Sequence, residues 1–466
     1  MEIPYDQPHE KHSSSVVVVI IPFLAQSHLN QLLQLAQVVS SYDIPVHYVA
    51  SALHNSQVKS RASNTTLHHS TKIQFHDFPI PALHSPPPNP YSKTKFPEHL
   101  IPCFEASTRL REPVTALLQT LSTTAKRLVV IHDVAVASVV QEVVSLPNAE
   151  AYSFSCYSAF FILASTPETL WRNEIFRMND LPSLESCFPS VIREFIDSQL
   201  QTMKFQAGEI HNTSRAIEGS FLELLANDNT GGEKKIWAVG PLHQTTVSEE
   251  PRDSDKWLLE WLNKQEPNSV LYISFGTTTT FSNEEIKELA LGLEESGVKF
   301  IWVLRDADKV NIFSDEEGRR PELPDGFEER MNGMGIVVRE WVPQVKILGH
   351  PSTGGFMSHC GWNSCLESIS MGVPIATWPM HSDQPYNALL IMKLLKVGVA
   401  VMEWGQRDEL VSSSMINRAV RKLMASEEGD EIRKRAKEMG DAVKRSAVEG
   451  GGCRLEWDSF IAHITG

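Results

Sequence analysis

The first half of the chain alternates short apolar runs with segments whose apolar residues recur at helical spacing. The run Val16–Ile21 is aliphatic throughout, which is typical of a strand buried on both faces of a sheet. Leucine, alanine and valine residues between positions 32 and 39 then repeat with the period of an amphipathic helix. Further strands are predicted at Val46–Val49, Ile73–Phe78, Leu128–Ile131 and Tyr152–Phe154. This β-loop-α order predicts a parallel sheet covered by helices.

A second series of the same kind follows a polar, turn-prone stretch, which predicts a linker at 244–255 between domains at 1–243 and 256–449. Strands are predicted at Val270–Phe275 and Phe300–Leu304. Between them, Ser282 and Glu285 have the spacing of a capping box that begins a helix. Residues 306–334 are highly charged and predict a long loop region, and 450–466 predicts a final helix with one apolar face.

Composition excludes several classes of protein. A length of 466 residues favours two domains, and a formal charge of −15 argues against a general nucleic-acid or anionic-membrane binder. The longest aliphatic run has 6 residues, whereas a membrane span needs about 20. Six scattered cysteines without a CxxC pair, and a polar start without the apolar core of a signal peptide, predict a cytoplasmic protein with reduced thiols.

The segment 354–368 has the pattern of a strand, a tight turn and a helix. Gly361 permits the turn, and a helix that begins near Asn363 would leave amide N–H groups free to bind an anion. His359 at the end of the strand could donate to the same anion, and Glu367 would share a helix face with Asn363, where it suits a ribose diol. Taken alone, an ordinary turn with Asn363 as the helix N-cap explains this segment equally well.

The longer stretch from Trp341 to Gln384 resembles the signature box of plant UDP-dependent glycosyltransferases of secondary metabolism. The matching residues are Trp341-Val-Pro-Gln344, His350, Gly354-Gly355, His359-Cys-Gly-Trp-Asn-Ser364, Glu367, Gly372-Val-Pro374, Trp378-Pro379 and Asp383-Gln384. The resemblance implies the GT-B fold, in which two Rossmann-like domains with parallel sheets face a central cleft. It also implies that the first domain binds the acceptor, that the second binds the UDP-sugar without a metal, and that the final helix packs back on the first domain.

The resemblance further implies roles for the matching residues of the donor site. Trp341 would stack on uracil, the backbone of Val342 would bind the edge of that base, and Gln344 with Glu367 would hold the ribose. The diphosphate would be bound by His359, Asn363, Ser364 and Thr279. The sugar hydroxyls would be bound by Trp362, Asp383 and Gln384. In this family a glutamine at position 384 usually accompanies glucose, and Trp362 argues against a glucuronate donor.

His28, which follows the first strand, is the candidate general base. A lone histidine at a helix start is more often exposed or capping, but the resemblance places the catalytic histidine of the family here. An imidazole, whose ordinary pKa is near neutrality, suits removal of a proton from an alcohol. Asp133 would stabilise the imidazolium, although it also fits as the N-cap of a helix at Ala137–Val144. Ser27 stands where the family usually has glycine, so the donor contact of this loop is open to question.

Other chemistries were weighed against this interpretation. Asp253-Ser-Asp255 and Asp306-Ala-Asp308 resemble the metal-binding motif of the other glycosyltransferase fold, but both lie in charged, loop-like sequence, so no metal is predicted. His359, Cys360 and Cys365 suggest zinc, yet a helix that packs Cys365 inward is a simpler account. No G-x-G-x-x-G follows the first strand, which disfavours a nicotinamide dehydrogenase.

Segments outside the signature box, such as SPPPNP at 85–90 and NTSRAIEG at 212–219, resemble the subgroup that glucosylates the side-chain hydroxyl of zeatin-type cytokinins. We therefore predict a monomeric, inverting O-glucosyltransferase that uses UDP-glucose as co-substrate, needs no cofactor and forms a β-glucoside on a small hydrophobic hydroxyl acceptor. Three alternatives remain open at this point: a flavonoid, terpenoid or phenolic acceptor, UDP-xylose as donor, and a non-catalytic binder of cytokinin-like ligands.

Overall fold

The protein forms two all-parallel sheets, each covered by helices, in a computed structural model. The structure describes residues 15–61, 72–80, 85–92, 94–165, 181–227, 235–245, 255–309, 311–313 and 319–466. The predicted α/β class, with two Rossmann-like sheets, is confirmed. Most of the predicted linker, 246–254, lies outside the described residues, as do Asp253 and Ser254 of the first acidic motif.

The first sheet has seven strands in the spatial order β3-β2-β1-β4-β5-β6-β7. Their bounds are β1 Val16–Ile21, β2 Val46–Ser51, β3 Ile73–Phe78, β4 Arg127–Asp133, β5 Ala149–Ser155, β6 Gly208–His211 and β7 Ile236–Ala238. The chain runs outward in one direction from β1 and in the other from β4, so the crevice at their carboxyl ends is the place where α/β sheets bind ligands. His28 follows β1, and Asp133 ends β4.

The second sheet has six strands and repeats the same order, β10-β9-β8-β11-β12-β13. Their bounds are β8 Val270–Ser274, β9 Lys299–Val303, β10 Gly335–Val338, β11 Thr353–Ser358, β12 Ile375–Thr377 and β13 Gly398–Ala400. The corresponding crevice lies between β8 and β11, where the loop after Gly276 meets the loop of His359. Both halves of the chain therefore carry their predicted site residues at the equivalent topological position.

The α-helices that cover the sheets lie on both of their faces. In the first half they are α1 Gln26–Ser41, α2 Ala52–Arg61, α3 Ile101–Thr108, α4 Arg111–Ser122, α5 Ala159–Ser165, α6 Leu184–Cys187, α7 Ser190–Thr202 and α8 Arg215–Ala226. In the second half they are α9 Lys256–Leu262, α10 Asn283–Ser296, α11 Phe327–Arg330, α12 Gln344–Leu348, α13 Trp362–Met371, α14 Gln384–Leu389, α15 Ser413–Met424, α16 Glu427–Ala447 and α17 Gly452–Thr465. In the described part of the chain, none of the helices is long and apolar enough to cross a bilayer.

The last helix, α17, belongs to the hydrophobic core of the first sheet. Phe460 packs edge-on against Tyr152 of β5 and Trp237 of β7, with ring centroids 5.7 and 5.2 Å apart. The indole N–H of Trp457 donates to the Val239 carbonyl at 2.9 Å, and the side chain is 2% exposed. The buried face of the final helix thus completes a core that begins with β1.

Helix α10 begins with the predicted capping box, which the structure confirms. The Ser282 hydroxyl accepts from the Glu285 amide, and the Glu285 carboxylate accepts from the Ser282 amide at 2.8 Å. Glu285 also pairs with Lys95 at 2.8 Å, so the same carboxylate joins the two halves of the chain.

Replacing Ser282 with Ala is expected to lower the free energy of unfolding by about 1 kcal/mol, because one amide of the first helical turn loses its acceptor. Chemical denaturation followed by circular dichroism would measure the change. Ser414→Ala, on the exposed start of α15, is a control that should leave the midpoint in place. An unchanged midpoint for Ser282→Ala would show that the capping box contributes nothing.

Candidate active site

A cavity of about 310 Å³ lies between the two halves at the carboxyl ends of their central strands. It is lined from the first half by the loop after β1 and the segments after β4 and β5, and from the second half by the loops after β8, β9 and β11. This cleft contains all of the predicted site residues except Asp133, which lies directly behind His28, and Thr279.

The imidazole of His28 and the carboxylate of Asp133 form a hydrogen-bonded pair, with Nδ1 and Oδ2 2.7 Å apart. Asp133 is fully buried, whereas the His28 side chain is 12% exposed and faces the cleft. The other carboxylate oxygen of Asp133 accepts from the Ala135 amide at 2.9 Å, so Asp133 also caps the 3₁₀-helix Val134–Ser145. The capping role and the proposed catalytic role are thus compatible, and the helix begins earlier than predicted.

The charges around His28 favour its protonated form. Burial lowers the pKa of His28, but the Asp133 carboxylate, its hydrogen bond and the more distant Asp383 together raise that pKa above its usual value. Burial alone would raise the pKa of Asp133, but the charge and hydrogen bond of His28, together with hydrogen bonds from Ala135 and Cys156, lower that pKa. The pair is therefore arranged to hold a proton on the ring opposite an ionised carboxylate.

Trp341 lies at the far end of the cleft with its indole 45% exposed, as an aromatic platform for a planar base requires. The guanidinium of Arg305 lies over this ring, 4.6 Å from its centroid, and is paired with Asp308 at 2.7 Å. Among the described residues that line the cleft, Arg305 is the only arginine or lysine. Arg305 was not predicted as a site residue, although its place just after β9 was an available signal.

Gln344 and Glu367 meet beside this platform. The Gln344 amide donates to Glu367 at 2.6 Å and to the Ser364 hydroxyl at 3.2 Å, while its carbonyl accepts from Tyr272 at 3.1 Å. Burial raises the pKa of Glu367 to about 7, and the hydrogen bond from Gln344 opposes that rise. This carboxylate therefore changes charge near neutral pH and is positioned to accept from a diol.

The turn between β11 and α13 places His359 against two glycines. A Cβ atom on Gly276 or Gly361 would lie 2.7 or 2.6 Å from the His359 ring, so both loops approach it closely because they carry glycine. Helix α13 begins at Trp362, one residue earlier than predicted, and its first helical bond runs from the Cys365 amide to the Gly361 carbonyl. The amides of the first turn precede that bond and are available to an anion.

His359 contributes a hydrogen bond rather than a charge. Burial lowers its pKa to about 4, so the ring is neutral at pH 7. Its Nδ1 atom is buried and has no hydrogen-bond partner among the described residues. If His359 lies beside a diphosphate as predicted, it would act through the N–H group of its neutral ring.

Asp383 and Gln384 lie opposite His28 and are held by hydrogen bonds of their own. The Asn387 amide donates to Asp383 at 2.7 Å, and burial raises the pKa of Asp383 to about 6. The Gln384 carbonyl accepts from the amides of Met380 and His381 at 2.9 and 3.1 Å. The Asp383 carboxylate can accept hydroxyl protons. The Gln384 side-chain nitrogen lies 3.4 Å from Nε2 of His381 and has a second N–H that can donate.

Two predicted contacts need correction. The indole N–H of Trp362 donates to the carbonyl of Asn212 at 2.9 Å, so this group is not free for a sugar hydroxyl. Thr279 does not line the main cleft but a smaller neighbouring cavity, and the residues of its loop that reach the cleft are Thr277 and Thr278. A one-residue difference within a turn decides which threonine lines the main cleft.

Ser27 lies in the first turn of α1 with its side chain exposed to the cleft. Its backbone does not adopt a positive φ angle, so no conformational strain accompanies serine at this position. The Ser27 carbonyl accepts from the side chain of Asn363 at 3.3 Å, which joins the loop of His28 to the first turn of α13. Serine here adds a hydroxyl to the cleft.

The end of the cleft beyond His28 is apolar. Its lining residues carry no formal charge and are Phe23, Phe96, Leu100, Phe104, Tyr157, Phe188, Ile192 and Ile196. The rings of Phe23 and Tyr157 lie 5.2 and 5.7 Å from the imidazole of His28. The shape and lining of this pocket suit a flat, uncharged molecule beside the imidazole.

The acidic motif at 306–308 is occupied by other contacts. Asp306 accepts from Thr280 and lies 3.9 Å from Arg319, and Asp308 is paired with Arg305. One group of three within the described residues has metal-ligand spacing: atoms of His28, Asp133 and Cys156 lie within 4.8 Å of one another. Burial and Asp133 raise the pKa of the Cys156 thiol well above its usual value, which opposes the thiolate that a metal would need.

Comparison with known proteins identifies the class that this fold and site define. Residues 14–244 match the pattern of the glycosyltransferase N-terminal domain, and residues 239–431 match the family described as UDP-glucoronosyl and UDP-glucosyl transferase. The chain belongs to the family of UDP-dependent glycosyltransferases. Its donor is therefore a UDP-sugar, and the predicted family is confirmed.

Two relatives are similar over nearly their whole length. The zeatin O-glucosyltransferase of Phaseolus lunatus is 52% identical over 97% of this chain and 98% of its own. The zeatin O-xylosyltransferase of Phaseolus vulgaris is also 52% identical, with the same coverage. The predicted resemblance to the zeatin subgroup is confirmed at the level of sequence.

Solved structures confirm the GT-B fold. Phytolacca americana UGT2, in complex with UDP-2-fluoro-glucose and pterostilbene, has a TM-score of 0.76 and 26% identity, and the match covers 97% of this chain and 99% of that one. A UGT transferase from Siraitia grosvenorii in complex with UDP has a TM-score of 0.75 and 27% identity, with 97% and 100% covered.

Proposed function

We propose that this chain is an inverting O-glucosyltransferase that transfers glucose from UDP-glucose to the side-chain hydroxyl of a zeatin-type cytokinin, forming a β-glucoside. The observation that carries the proposal is the His28–Asp133 pair at 2.7 Å, which faces an apolar pocket on one side and Asp383 on the other. The 52% identity to a zeatin O-glucosyltransferase supports the choice of acceptor. We assign 1–243 to the acceptor, 256–449 to the donor and 450–466 to the returning helix.

The base acts through the ring nitrogen that does not contact Asp133. With Nδ1–H donating to the carboxylate, Nε2 is free to accept the proton of an acceptor hydroxyl. The hydroxyl oxygen attacks C1 of the sugar from the face opposite UDP, the bond from C1 to the diphosphate oxygen breaks, and the configuration inverts. Asp133 stabilises the imidazolium that forms.

The leaving diphosphate is held by groups of the second domain. The first-turn amides of α13 carry the positive end of the helix dipole, and the neutral His359 adds a donor. Trp341, Gln344 and Glu367 bind the uridine, while Asp383 and Gln384 bind the glucose hydroxyls. The amides of α13 and the N–H group of His359 are held in place by the fold before the reaction, which is the general basis of electrostatic stabilisation in such sites.

UDP-xylose is the second candidate donor, because a zeatin O-xylosyltransferase is as similar to this chain as the O-glucosyltransferase is. Gln384 is the feature that favours glucose. The apolar acceptor pocket also suits other flat alcohols and phenols, so zeatin rests on sequence similarity more than on the lining of the pocket.

A two-way screen tests both choices. UDP-glucose and UDP-xylose would each be incubated with trans-zeatin, cis-zeatin, dihydrozeatin and a panel of phenolics, and UDP release and product mass would be measured. We expect the highest kcat/KM for UDP-glucose with a zeatin. Turnover of phenolics without turnover of any zeatin would overturn the cytokinin assignment, and a preference for UDP-xylose would overturn the donor. Absence of acceptor-dependent UDP release throughout the panel would contradict the proposed activity as a whole.

A further inference from the structure

The carboxylate behind His28 receives three hydrogen bonds, and the proposed mechanism uses one of them. Oδ1 of Asp133 accepts from the Ala135 amide at 2.9 Å. Oδ2 accepts from His28 at 2.7 Å and from the thiol of Cys156, whose sulfur lies 3.3 Å away. His28 and Cys156 therefore share one acceptor, Oδ2 of Asp133.

Cys156 is placed for this contact by the sheet. It follows β5, the strand that pairs with β4 in a register that sets Asp133 opposite Phe154. Its side chain is 4% exposed, and the next residue, Tyr157, packs its ring against His28. The two residues that follow β5 thus contact both members of the pair: Cys156 contacts Asp133, and Tyr157 contacts His28.

We propose that Cys156 is a positioning residue for the transfer reaction: its S–H group donates to the Asp133 oxygen that faces His28 and thereby reduces the basicity of the imidazole. This inference rests on the role of His28 in the proposed function. It assigns to Cys156 no contact with either substrate, and no part in covalent or metal chemistry.

The physical basis is competition for one oxygen. A second donor on Oδ2 withdraws negative charge from the atom that faces Nδ1, so the imidazolium is stabilised less than it would be by Asp133 with a single donor. The thiol remains protonated because burial and the Asp133 charge raise its pKa well above the ordinary value. Cys156 is therefore a permanent donor, and the base is kept free of a proton at a lower pH.

Other ionisable groups around the pair come from every neighbouring element. They are Tyr48 of β2, His132 of β4, Tyr157 after β5 and Asp383 of the second domain. Burial raises the pKa of both tyrosines and lowers the pKa of His132, so these three are neutral at pH 7. Among these groups Asp383 is the one that is charged at pH 7, and because burial raises its pKa to about 6, its titration overlaps the acid side of the His28 curve. That contribution is common to the wild type and the Cys156 variants.

The test measures the titration of His28 in the full chain without substrate. Protein labelled with [¹³Cε1]-histidine would be titrated by NMR, and the His28 signal would be assigned by its loss in His28→Gln. We expect Cys156→Ala to raise the His28 pKa by about 0.5 pH unit or more. Cys156→Ser restores an O–H donor, so its value should lie below that of the alanine variant. The acid limb of the kcat/KM profile should move in the same directions.

Two comparisons separate this role from packing. Cys453→Ala removes a buried thiol from the same core on α17, and it should leave the His28 titration unchanged. In an Asp133→Asn background, Cys156→Ala should produce no further shift, because Cys156 acts only through the carboxylate. Equal titration curves for wild type, Cys156→Ala and Cys156→Ser would overturn the inference, as would a full shift that persists in the Asp133→Asn background. The titration needs no acceptor. A negative result in the activity screen would therefore not decide the outcome of this test.

Discussion

His28→Ala should bind UDP-glucose as the wild type does and lose about 10²- to 10⁴-fold in kcat, the usual contribution of a positioned general base. The reason is geometric: the imidazole lies between the apolar pocket and the Asp383 carboxylate, and its Nδ1 atom is held by Asp133 at 2.7 Å. No other described histidine makes that contact with Asp133. Calorimetric titration with UDP-glucose and steady-state kinetics with zeatin would measure the two quantities separately.

A matched control is His47→Ala, which removes a half-buried histidine that pairs with His76 at the edge of the same sheet, outside the cleft. It should retain full turnover. Turnover of His28→Ala within a few-fold of the wild type would remove His28 from the mechanism. A large loss of UDP-glucose affinity in that variant would instead indicate a role for His28 in binding the donor.

Glu367→Gln should weaken UDP-glucose binding about 10- to 100-fold, because a charge-assisted hydrogen-bond acceptor for a diol is replaced by a neutral amide. The wild-type protein should also bind UDP-glucose less tightly as the pH falls from 8 to 6. Glu367, whose pKa is raised to about 7, must be ionised to accept from both hydroxyls, so binding is favoured above that pKa and lost below it. The diphosphate diester of UDP-glucose does not titrate in this interval.

The pH dependence identifies the residue responsible. In Glu367→Gln the component centred near pH 7 should disappear, while a component from Asp383, with its pKa of about 6, should remain at lower pH. Glu431→Gln, an exposed change on α16, is the control for loss of one carboxylate and should match the wild type. If the affinity of Glu367→Gln kept the wild-type pH dependence, Glu367 would not be the ribose-binding carboxylate.

The long elements of the fold were predictable because their patterns are local. The strands at Val16–Ile21 and Ile73–Phe78 have the predicted bounds, and the capping box at Ser282 begins its helix as expected. The strands that were missed are short or lie at the edges of the sheets: Gly208–His211, Ile236–Ala238, Gly335–Val338, Ile375–Thr377 and Gly398–Ala400. Three or four residues carry too little periodicity to separate a strand from a loop.

The placement of a site residue in the cleft could be predicted only where it depends on the local motif that contains the residue. The indole N–H of Trp362 donates to the carbonyl of Asn212, which is distant in sequence and lies in the other half of the chain. The threonine that faces the cleft is decided by the turn after Gly276, with its φ of +72°, and not by residue type. The contacts of Arg305 and Cys156 likewise join separate strands, and a single sequence does not reveal such pairs.

The return of the final helix to the first sheet has a consequence for synthesis of the protein on the ribosome. The core of the first sheet is completed by Trp457, Phe460 and Ile464, which are translated only after the whole second sheet. Domains generally fold in the order in which they emerge. Here the domain that emerges first exposes the groove for α17 until the second domain has been made, so we expect its need for chaperones to persist throughout translation of the second domain.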